Sequence, residues 1–287
     1  MKSFETATFR PRKIHSTAVI HPTAKLGRDV EVGPYCVIGA EVVIGDGTRL
    51  ASHVVIDGPA IIGRNCRIAS FACLGGDPQD VKYAGEKTTL VIGDNNLIRE
   101  YATIHRGTPG GRGETRVGNN NMIMSYAHIA HDCVVGDNVI ITGGAAIAGH
   151  VTVEDYAVIG GMAGVHQFVR VGRMAMVGGM AKVVKDIPPY FLVDGNPARA
   201  IGVNIVGMRR NGVAPEVRAE IRKAFKILYE SRLNASQAIA RMEQELVECE
   251  EIKHLIDFLK MSSRGICSSR PWEGGPAGDA RETGDLV

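Results

Sequence analysis

Aliphatic residues recur at every sixth position over most of residues 14–183, and this period constrains the fold more than any other feature. The period is unbroken over residues 14–74, returns in phase over 92–104, and continues one residue out of phase over 117–183. An α-helix cannot keep a period of six on one face, because its apolar stripe would drift around the surface. Six residues suit one short strand and a turn, and three such hexads close a coil of about 18 residues. The period therefore predicts a parallel β-helix, in which each coil is stable only against its neighbours.

The fourth residue after each aliphatic is small or medium-sized and takes the second inward position of the hexad. Cys36, Cys66 and Cys133 occupy this position, so we expect them to pack inside the β-helix rather than to react. The six cysteines show no CxxC pair and no zinc-finger spacing, which indicates reduced thiols and a cytoplasmic protein.

Composition excludes several classes of function. A net charge of +2 provides no basic surface of the kind that binds nucleic acid. No run approaches 18 apolar residues, so we expect no transmembrane segment. The amino terminus has no apolar core of the kind found in secretory signals.

Two insertions interrupt the hexads. Residues 75–91 replace a hexad or more with a polar loop, and residues 107–116 are rich in glycine and shift the phase. Insertions into a solenoid project from one side and often carry binding function. We expect a binding function for the first insertion, whereas the second is also consistent with a tolerated surface loop.

The hexads end after Val183, where two consecutive prolines follow. An apolar face with helical spacing begins at Pro215, a second helix is expected after a cap at Asn234 or Ser236, and a third over residues 250–263. The sequence therefore predicts a β-helix domain over 1–190, a small α-helical domain over 191–267, and a disordered tail over 268–287.

Polar side chains cluster in "AHIAHDC", residues 127–133. His128, His131 and Asp132 miss the two inward positions of their hexads, so we expect them to point outward. His150 is one coil beyond Asp132, which should place the two about 4.8 Å apart. Three histidines with an aspartate suggest zinc, but His128 and His131 are three residues apart, whereas the histidines of γ-type carbonic anhydrases are five apart. A general base polarised by its neighbouring aspartate is the preferred interpretation, with no metal.

The segments "HPTA", "KYAGE", "TIHRGT", "AHIAHDC", "IGGMAGVHQF" and "PPYFLVDGNPARAIGVNIVGMRR" occur in this order. They resemble the hexapeptide-repeat acyltransferases, and among these the acyl-carrier-protein:UDP-N-acetylglucosamine O-acyltransferase family of lipid A biosynthesis, over roughly residues 14–265. The resemblance implies a left-handed parallel β-helix followed by a small C-terminal α-helical domain, assembled as a homotrimer. It also implies transfer of a 3-hydroxyacyl group from acyl carrier protein to the 3-hydroxyl of UDP-N-acetylglucosamine, without a cofactor.

The same resemblance assigns roles to individual residues. His131 is the implied general base, Asp132 orients it, and the backbone N–H of Gly149 is the implied donor to the oxyanion. The implied substrate-binding residues are Gln79, Asp80, Lys82, His128, His150, His166, Gln167, Asn204 and Arg210. Gly179 matches the position that measures the acyl chain, and a glycine there predicts tolerance of longer 3-hydroxyacyl chains.

The sequence leaves one nucleotide contact, the acyl chain length and the acceptor group undetermined. Val206 stands where an acidic residue is expected, which puts one nucleotide contact in doubt. The acyl chain length, and whether the acceptor carries a 3-hydroxyl or a 3-amino group, are not determined. Three alternatives are a γ-type carbonic anhydrase, a non-catalytic β-helix scaffold, and the N-acyltransferase of the same pathway. The last has an extra N-terminal uridine-binding domain, which we do not expect because the hexads begin at Ile14.

Overall fold

The computed structural model describes residues 14–269, and within them the chain forms short strands followed by helices. In chain order the strands are β1 (Val19–Ile20), β2 (Lys25–Leu26), β3 (Glu31–Val32), β4 (Val37–Ile38), β5 (Val42–Ile44), β6 (Arg49–Leu50), β7 (Val55–Ile56), β8 (Ala60–Ile62), β9 (Arg67–Ile68), β10 (Cys73–Gly76), β11 (Thr89–Ile92), β12 (Leu97–Ile98), β13 (Thr103–His105), β14 (Glu114–Val117), β15 (Met122–Ile123), β16 (His128–Ile129), β17 (Val134–Val135), β18 (Ile140–Ile141), β19 (Ala146–Ile147), β20 (Thr152–Val153), β21 (Val158–Ile159), β22 (Gly164–Val165), β23 (Arg170–Val171), β24 (Met176–Val177), β25 (Lys182–Val183), β26 (Phe191–Asp194) and β27 (Arg199–Val203). The helices are α1 (Ile205–Arg210), α2 (Pro215–Tyr229), α3 (Ala235–Glu245) and α4 (Glu250–Lys260).

The strands form three sheets, and up to β25 the paired strands are parallel and three positions apart in the chain. The first sheet has the order β1-β4-β7-β10-β13-β16-β19-β22-β25, the second β2-β5-β8-β11-β14-β17-β20-β23, and the third runs from β3 to β27. The register joins equivalent residues of successive hexads, such as Val19 with Val37 and Ile140 with Val158. This confirms the predicted coil of three hexads.

The aliphatic residue of each hexad lies inside the β-helix. Ile123, Ile141 and Ile159 stack on one another from successive strands of the third sheet and are fully buried. Burial of this kind contributes roughly 1.5–3 kcal/mol for each large aliphatic side chain. The cysteines at the small inward position are buried free thiols, as predicted. Burial raises the pKa of the Cys133 thiol to about 12, so this cysteine packs rather than reacts.

Corner residues form columns along the β-helix. In most coils the third residue after the aliphatic has a positive φ, including Asp132 at 59° and His150 at 63°. Because asparagine, aspartate and histidine tolerate this conformation better than most residues, they are common at such corners. The corner before the first sheet carries a column of stacked rings whose centroids are 4.8–5.1 Å apart: Tyr35, His53, Phe71, Tyr101 and Tyr126.

The third sheet continues beyond the last hexad. Strand β26 pairs in parallel with β24, and β27 folds back antiparallel on β26. Both strands lie in the region predicted to be the helical domain, since an antiparallel hairpin carries no period of six. Residues 268 and 269, placed in the predicted tail, lie against this hairpin, where the Ala200 N–H donates to the Ser268 carbonyl at 2.8 Å. The remainder of the predicted tail lies outside the described residues.

The helices pack over the end of the β-helix. Their apolar faces form a second buried cluster that includes Met208, Ile221 and Leu255 and extends onto Tyr190 and Phe191. The three predicted helices are confirmed as α2, α3 and α4, and Asn234 is the cap of α3. The short helix α1 was not predicted from the sequence; it is capped by Asn204, whose side chain accepts the Gly207 N–H.

Candidate active site

An open cleft of about 410 Å³ lies along the outer face of the first sheet and the corner that leads to the second sheet. Six of the predicted site residues line this cleft: Gln79, His128, His131, Gly149, His166 and Gln167. Small outward residues, Ala146 and Gly164, form its floor, and Lys182 lies at one end. Corner residues of three successive coils therefore meet one apolar groove, as the hexad register requires.

His131 and Asp132 form a hydrogen-bonded pair at this corner. Nδ1 of His131 is 2.8 Å from Oδ2 of Asp132. Because Asp132 is ionised, as its lowered pKa indicates, the proton of a neutral His131 is on Nδ1 and the lone pair is on Nε2. His150 is above the pair, with Nε2 3.9 Å from the same carboxylate oxygen. The predicted stacking of His150 over Asp132 is therefore present.

Both members of the pair point away from the β-helix interior, as predicted, and both are nevertheless buried. Asp132 has no exposed surface and His131 is 6% exposed. Both side chains do leave the β-helix at the corner, but residues 107–113 fold over the carboxylate. The Thr108 hydroxyl donates to Asp132 at 2.6 Å, and the Arg112 N–H donates at 2.7 Å.

These hydrogen bonds set the charge of the carboxylate. Burial alone would raise the pKa of Asp132, but the bonds from Thr108, His131 and the Arg112 backbone outweigh it and leave the pKa below its ordinary value. Thr108 could not be identified from the sequence, because its contact with Asp132 spans 24 residues and lies outside the six-residue repeat. The only signal in the sequence was the insertion itself.

Gly149 is adjacent to the reactive edge of His131. A methyl group at this position would lie 2.6 Å from Cε1 and 2.7 Å from Nε2 of His131, so only glycine leaves room for the ring. The Gly149 N–H donates no hydrogen bond to any residue in the 14–269 range. A backbone donor next to Nε2 is therefore available to a ligand.

The pKa values of His128 and His150 are lowered from that of an ordinary histidine. Burial lowers the pKa of His128, and the neighbouring His105 and His131 lower it further. Nδ1 of His128 is 2.7 Å from the Thr103 hydroxyl. Burial also lowers the pKa of His150, whose ring stacks on Phe168 with centroids 4.5 Å apart. These groups can exchange hydrogen bonds with a ligand without carrying charge.

The first insertion brings Gln79 into the cleft and holds Asp80 and Lys82 beside it. The Asp80 carboxylate accepts the Lys82 N–H at 2.9 Å, while the Lys82 side chain is exposed. Arg106 holds this loop to the β-helix. Its guanidinium, only 12% exposed, donates to the Gly75 carbonyl at 2.8 Å, to the Tyr83 hydroxyl at 2.9 Å, and to Asp77.

Three predicted positions lie away from the cleft. Asn204 caps α1 and donates to the Met174 carbonyl at 2.8 Å, which places it at the corner between the second and third sheets. Arg210 ends the same helix, and Val206 on its first turn is exposed. Gly179 is exposed at the corner between the third and first sheets, where an added methyl would meet only a carbonyl oxygen at 3.4 Å. Within one chain, Asn204, Arg210 and Gly179 lie away from His131.

The cluster of His131, Asp132 and His150 could in principle hold a metal ion, since one ligand atom of each lies within 4.8 Å of the others. However, both oxygens of Asp132 accept hydrogen bonds from Thr108, and Nδ1 of His131 is used by Asp132. With the carboxylate occupied, only the two imidazoles of His131 and His150 are left as ligands, fewer than the three protein ligands of a catalytic zinc site. This arrangement argues against the carbonic anhydrase alternative.

A β-helix of hexads with a histidine–aspartate pair beside an apolar groove defines a hexapeptide transferase. Residues 41–76 and 114–149 match the family described as bacterial transferase hexapeptide, and residues 186–267 match the second domain of UDP-N-acetylglucosamine O-acyltransferase. None of the helices in the described part of the chain is long and apolar enough to cross a membrane.

Individual relatives narrow the class to one family. The acyl-[acyl-carrier-protein]–UDP-N-acetylglucosamine O-acyltransferase of Thermodesulfovibrio yellowstonii is 48% identical over 89% of this chain and 99% of its own. The solved LpxA of Acinetobacter baumannii is 46% identical with a TM-score of 0.87, covering 89% of this chain and all of the other. The solved UDP-N-acetylglucosamine O-acyltransferase (LpxA) of Moraxella catarrhalis is 42% identical with a TM-score of 0.86, covering 89% of this chain and 99% of the other. The chain belongs to the acyl-[acyl-carrier-protein]–UDP-N-acetylglucosamine O-acyltransferase family, and its fold is the left-handed β-helix that was predicted.

Proposed function

We propose that this chain transfers a 3-hydroxyacyl group from acyl carrier protein to the 3-hydroxyl of UDP-N-acetylglucosamine, the first step of lipid A biosynthesis. The names of its relatives give the carrier-protein donor and the sugar-nucleotide acceptor. The observation that carries the proposal is the His131–Asp132 pair, in which Nε2 of His131 is free and lies beside Gly149 at the edge of an apolar groove.

A sugar hydroxyl is too weak an acid to attack a thioester unaided near neutral pH. In the proposed reaction, His131 Nε2 takes the hydroxyl proton as the sugar oxygen bonds to the acyl carbon. The Gly149 N–H donates to the oxyanion of the tetrahedral intermediate, and Asp132 stabilises the imidazolium. When the carbon–sulfur bond breaks, His131 returns the proton to the carrier's thiolate, leaving an ester and a thiol.

The polar residues around the cleft are proposed to hold the acceptor. Gln79, Asp80 and Lys82 come from one loop, and Lys82 can pair with a diphosphate because its ammonium group is exposed. His128 lies in the coil of His131, and His150, His166 and Gln167 lie in the two coils above it; these side chains would contact the sugar and the hydroxyl of the acyl chain. The groove over Ala146 and Gly164 has room for the chain itself.

Asn204 and Arg210 can serve as substrate contacts only if a second copy of the chain supplies them, because they lie at a different corner from His131. We therefore propose a homotrimer with active sites between neighbouring β-helices. Six half-exposed apolar side chains in register on the third sheet support such a contact: Leu97, Met122, Ile140, Val158, Met176 and Leu192. A continuous apolar strip of this length is typical of a protein interface.

Two finer proposals concern the acyl donor, and a third concerns the compartment. Arg209, Arg210 and Lys82 are exposed and could attract an acidic carrier protein. The open corner at Gly179 should accommodate longer acyl chains, and assays with 3-hydroxyacyl carrier proteins of several lengths test this; a sharp preference for the shortest would contradict it. The six free cysteines fit a reducing compartment, so we place the reaction in the cytoplasm.

Replacing His131 with alanine tests the proposed base. We expect kcat/KM for UDP-N-acetylglucosamine to fall by about 10²–10⁴-fold, while the circular dichroism spectrum and the mass in solution stay unchanged. His21→Ala is the matched control, since this histidine is exposed and far along the β-helix from the cleft. Activity within about tenfold of wild type in the His131→Ala variant would contradict the assigned base. Mass spectrometry with 3-hydroxyl and 3-amino acceptors identifies the bond formed.

A further inference from the structure

The glycine-rich insertion contains a residue that acts on the catalytic pair. We propose that Thr108 is a positioning residue for acyl transfer, which holds the Asp132 carboxylate so that His131 presents Nε2 to the acceptor. This inference rests on the proposed function, because it assigns a role within that reaction. It adds to the site a residue that touches neither substrate nor the reacting atoms.

The contacts of Thr108 converge on one carboxylate. Its hydroxyl donates to Oδ2 of Asp132 at 2.6 Å, and its backbone N–H is 3.1 Å from both carboxylate oxygens. The same Oδ2 accepts the proton of His131 Nδ1 at 2.8 Å. Thr108 and His131 therefore share one oxygen, which fixes the rotation of the carboxylate about its χ2 angle.

Burial increases the effect of losing one of these hydrogen bonds. Thr108 is 4% exposed and Asp132 is not exposed at all, so water cannot replace a lost donor without a change in structure. Hydrogen bonds to a buried charge are stronger than those between neutral groups. Without the hydroxyl, the carboxylate can turn, and the Nδ1 bond that selects the tautomer of His131 loses its geometry.

The loop that carries Thr108 is itself held in place. The Thr108 carbonyl accepts the N–H groups of Gly111 at 3.1 Å and Gly113 at 2.9 Å, which closes a tight turn above the carboxylate. A methyl group at Gly111 would lie 2.4–2.6 Å from the Asp132 carboxylate, so glycine is needed for this approach. The turn thus positions the threonine hydroxyl over Asp132.

A double-mutant cycle distinguishes a positioning role from a merely structural one. Thr108→Val keeps the shape and removes the hydroxyl, and we expect kcat to fall about 10- to 100-fold with KM for UDP-N-acetylglucosamine changed less than about threefold. Thr108→Ser should restore kcat to within about threefold of wild type. In an Asp132→Asn background, Thr108→Val should change kcat less than about twofold, since the group it acts through is gone.

Thr142→Val is the matched control, because the Thr142 hydroxyl makes a 2.7 Å bond to the Ile159 carbonyl at a different corner. We expect its kcat within about twofold of wild type. If Thr108→Val lowers kcat by the same factor with and without the Asp132 carboxylate, or raises only KM, the positioning role is wrong. Should Thr108→Val fail to fold, the Thr108→Ala and Thr108→Ser pair gives the same comparison.

A second measurement does not depend on the reaction. In protein labelled with ¹⁵N-histidine, the Nδ1–H signal of His131 reports its bond to Asp132 and its tautomer. We expect this signal to shift or broaden in Thr108→Val and to be retained in Thr108→Ser. An unchanged signal in Thr108→Val overturns the inference even if acyl transfer is confirmed, whereas loss of the proposed function alone leaves this readout intact.

Discussion

The two insertions into the β-helix serve the same site in different ways. Residues 77–87 form an exposed loop that presents Gln79 and Lys82, and Val81 at its tip is fully exposed. Residues 107–113 form a shorter turn whose first two residues are buried and whose donors end on Asp132. In the proposed function the first loop offers side chains to the substrate, while the second loop holds the Asp132 carboxylate.

The difference follows from how each loop is anchored. Arg106 holds the first loop from one side, with bonds to the Gly75 carbonyl and the Tyr83 hydroxyl. The second loop is held by a buried carboxylate that would be unstable without it. We therefore expect changes at the first loop to affect binding and changes at the second to affect the chemical step. The predictions below test this division.

The largest effect on activity is expected at Asp132, where the hydrogen bonds of the second loop end. Asp132→Asn keeps the size of the side chain but removes its charge, so His131 loses the acceptor that selects its tautomer. We expect kcat to fall by about 10³–10⁴-fold with little change in KM, by analogy with the aspartate of a catalytic triad. Steady-state assays with excess carrier protein measure both constants. A variant that loses affinity while keeping kcat would place Asp132 in substrate binding.

Gly111 provides a smaller test of the same loop. Gly111→Ala forces a methyl group against the Asp132 carboxylate, and we expect kcat to fall at least about tenfold because the turn must move. Gly110→Ala is the matched control, since an added methyl there meets nothing within 4 Å. Equal activity of the two variants would show that the turn does not need to approach the carboxylate closely.

Asp132 and the turn that covers it also show what the sequence could and could not predict. The period of six placed Asp132 and His150 one coil apart, because stacking makes equivalent positions neighbours. It could not predict that Asp132 is buried, because the covering turn lies outside the repeat and its contacts depend on tertiary structure. The hairpin of β26 and β27 was missed for the same reason. Asn204 and Arg210 were identified by resemblance alone, and only the coordinates show that they are remote from His131 within one chain.

Arg106 tests the first loop. Arg106→Ala removes the bonds that hold residues 77–83 to the β-helix, so we expect KM for UDP-N-acetylglucosamine to rise about tenfold while kcat stays within about threefold. Arg116→Ala is the control, because this arginine pairs with Glu114 on the exposed outer surface. A fall in kcat alone would contradict the division between the loops and place Arg106 with the catalytic pair.

The smallest effect is expected in the pH dependence of stability. Because hydrogen bonds leave the pKa of Asp132 below its ordinary value, its ionised form stabilises the fold above the pKa of an unfolded aspartate, about 3.9. This stabilisation is lost as the pH falls below that value and through the lower pKa of the folded state.

We therefore expect the urea midpoint of the wild type to exceed that of Asp132→Asn at pH 7, and the difference to shrink on acidification. The corresponding change at the partly exposed Asp80 of the first loop, Asp80→Asn, should leave the midpoint nearly unchanged at both pH values. If the difference in urea midpoint between wild type and Asp132→Asn is the same at both pH values, the second loop does not depend on the charge of the carboxylate. The proposed difference between the two loops would then be wrong.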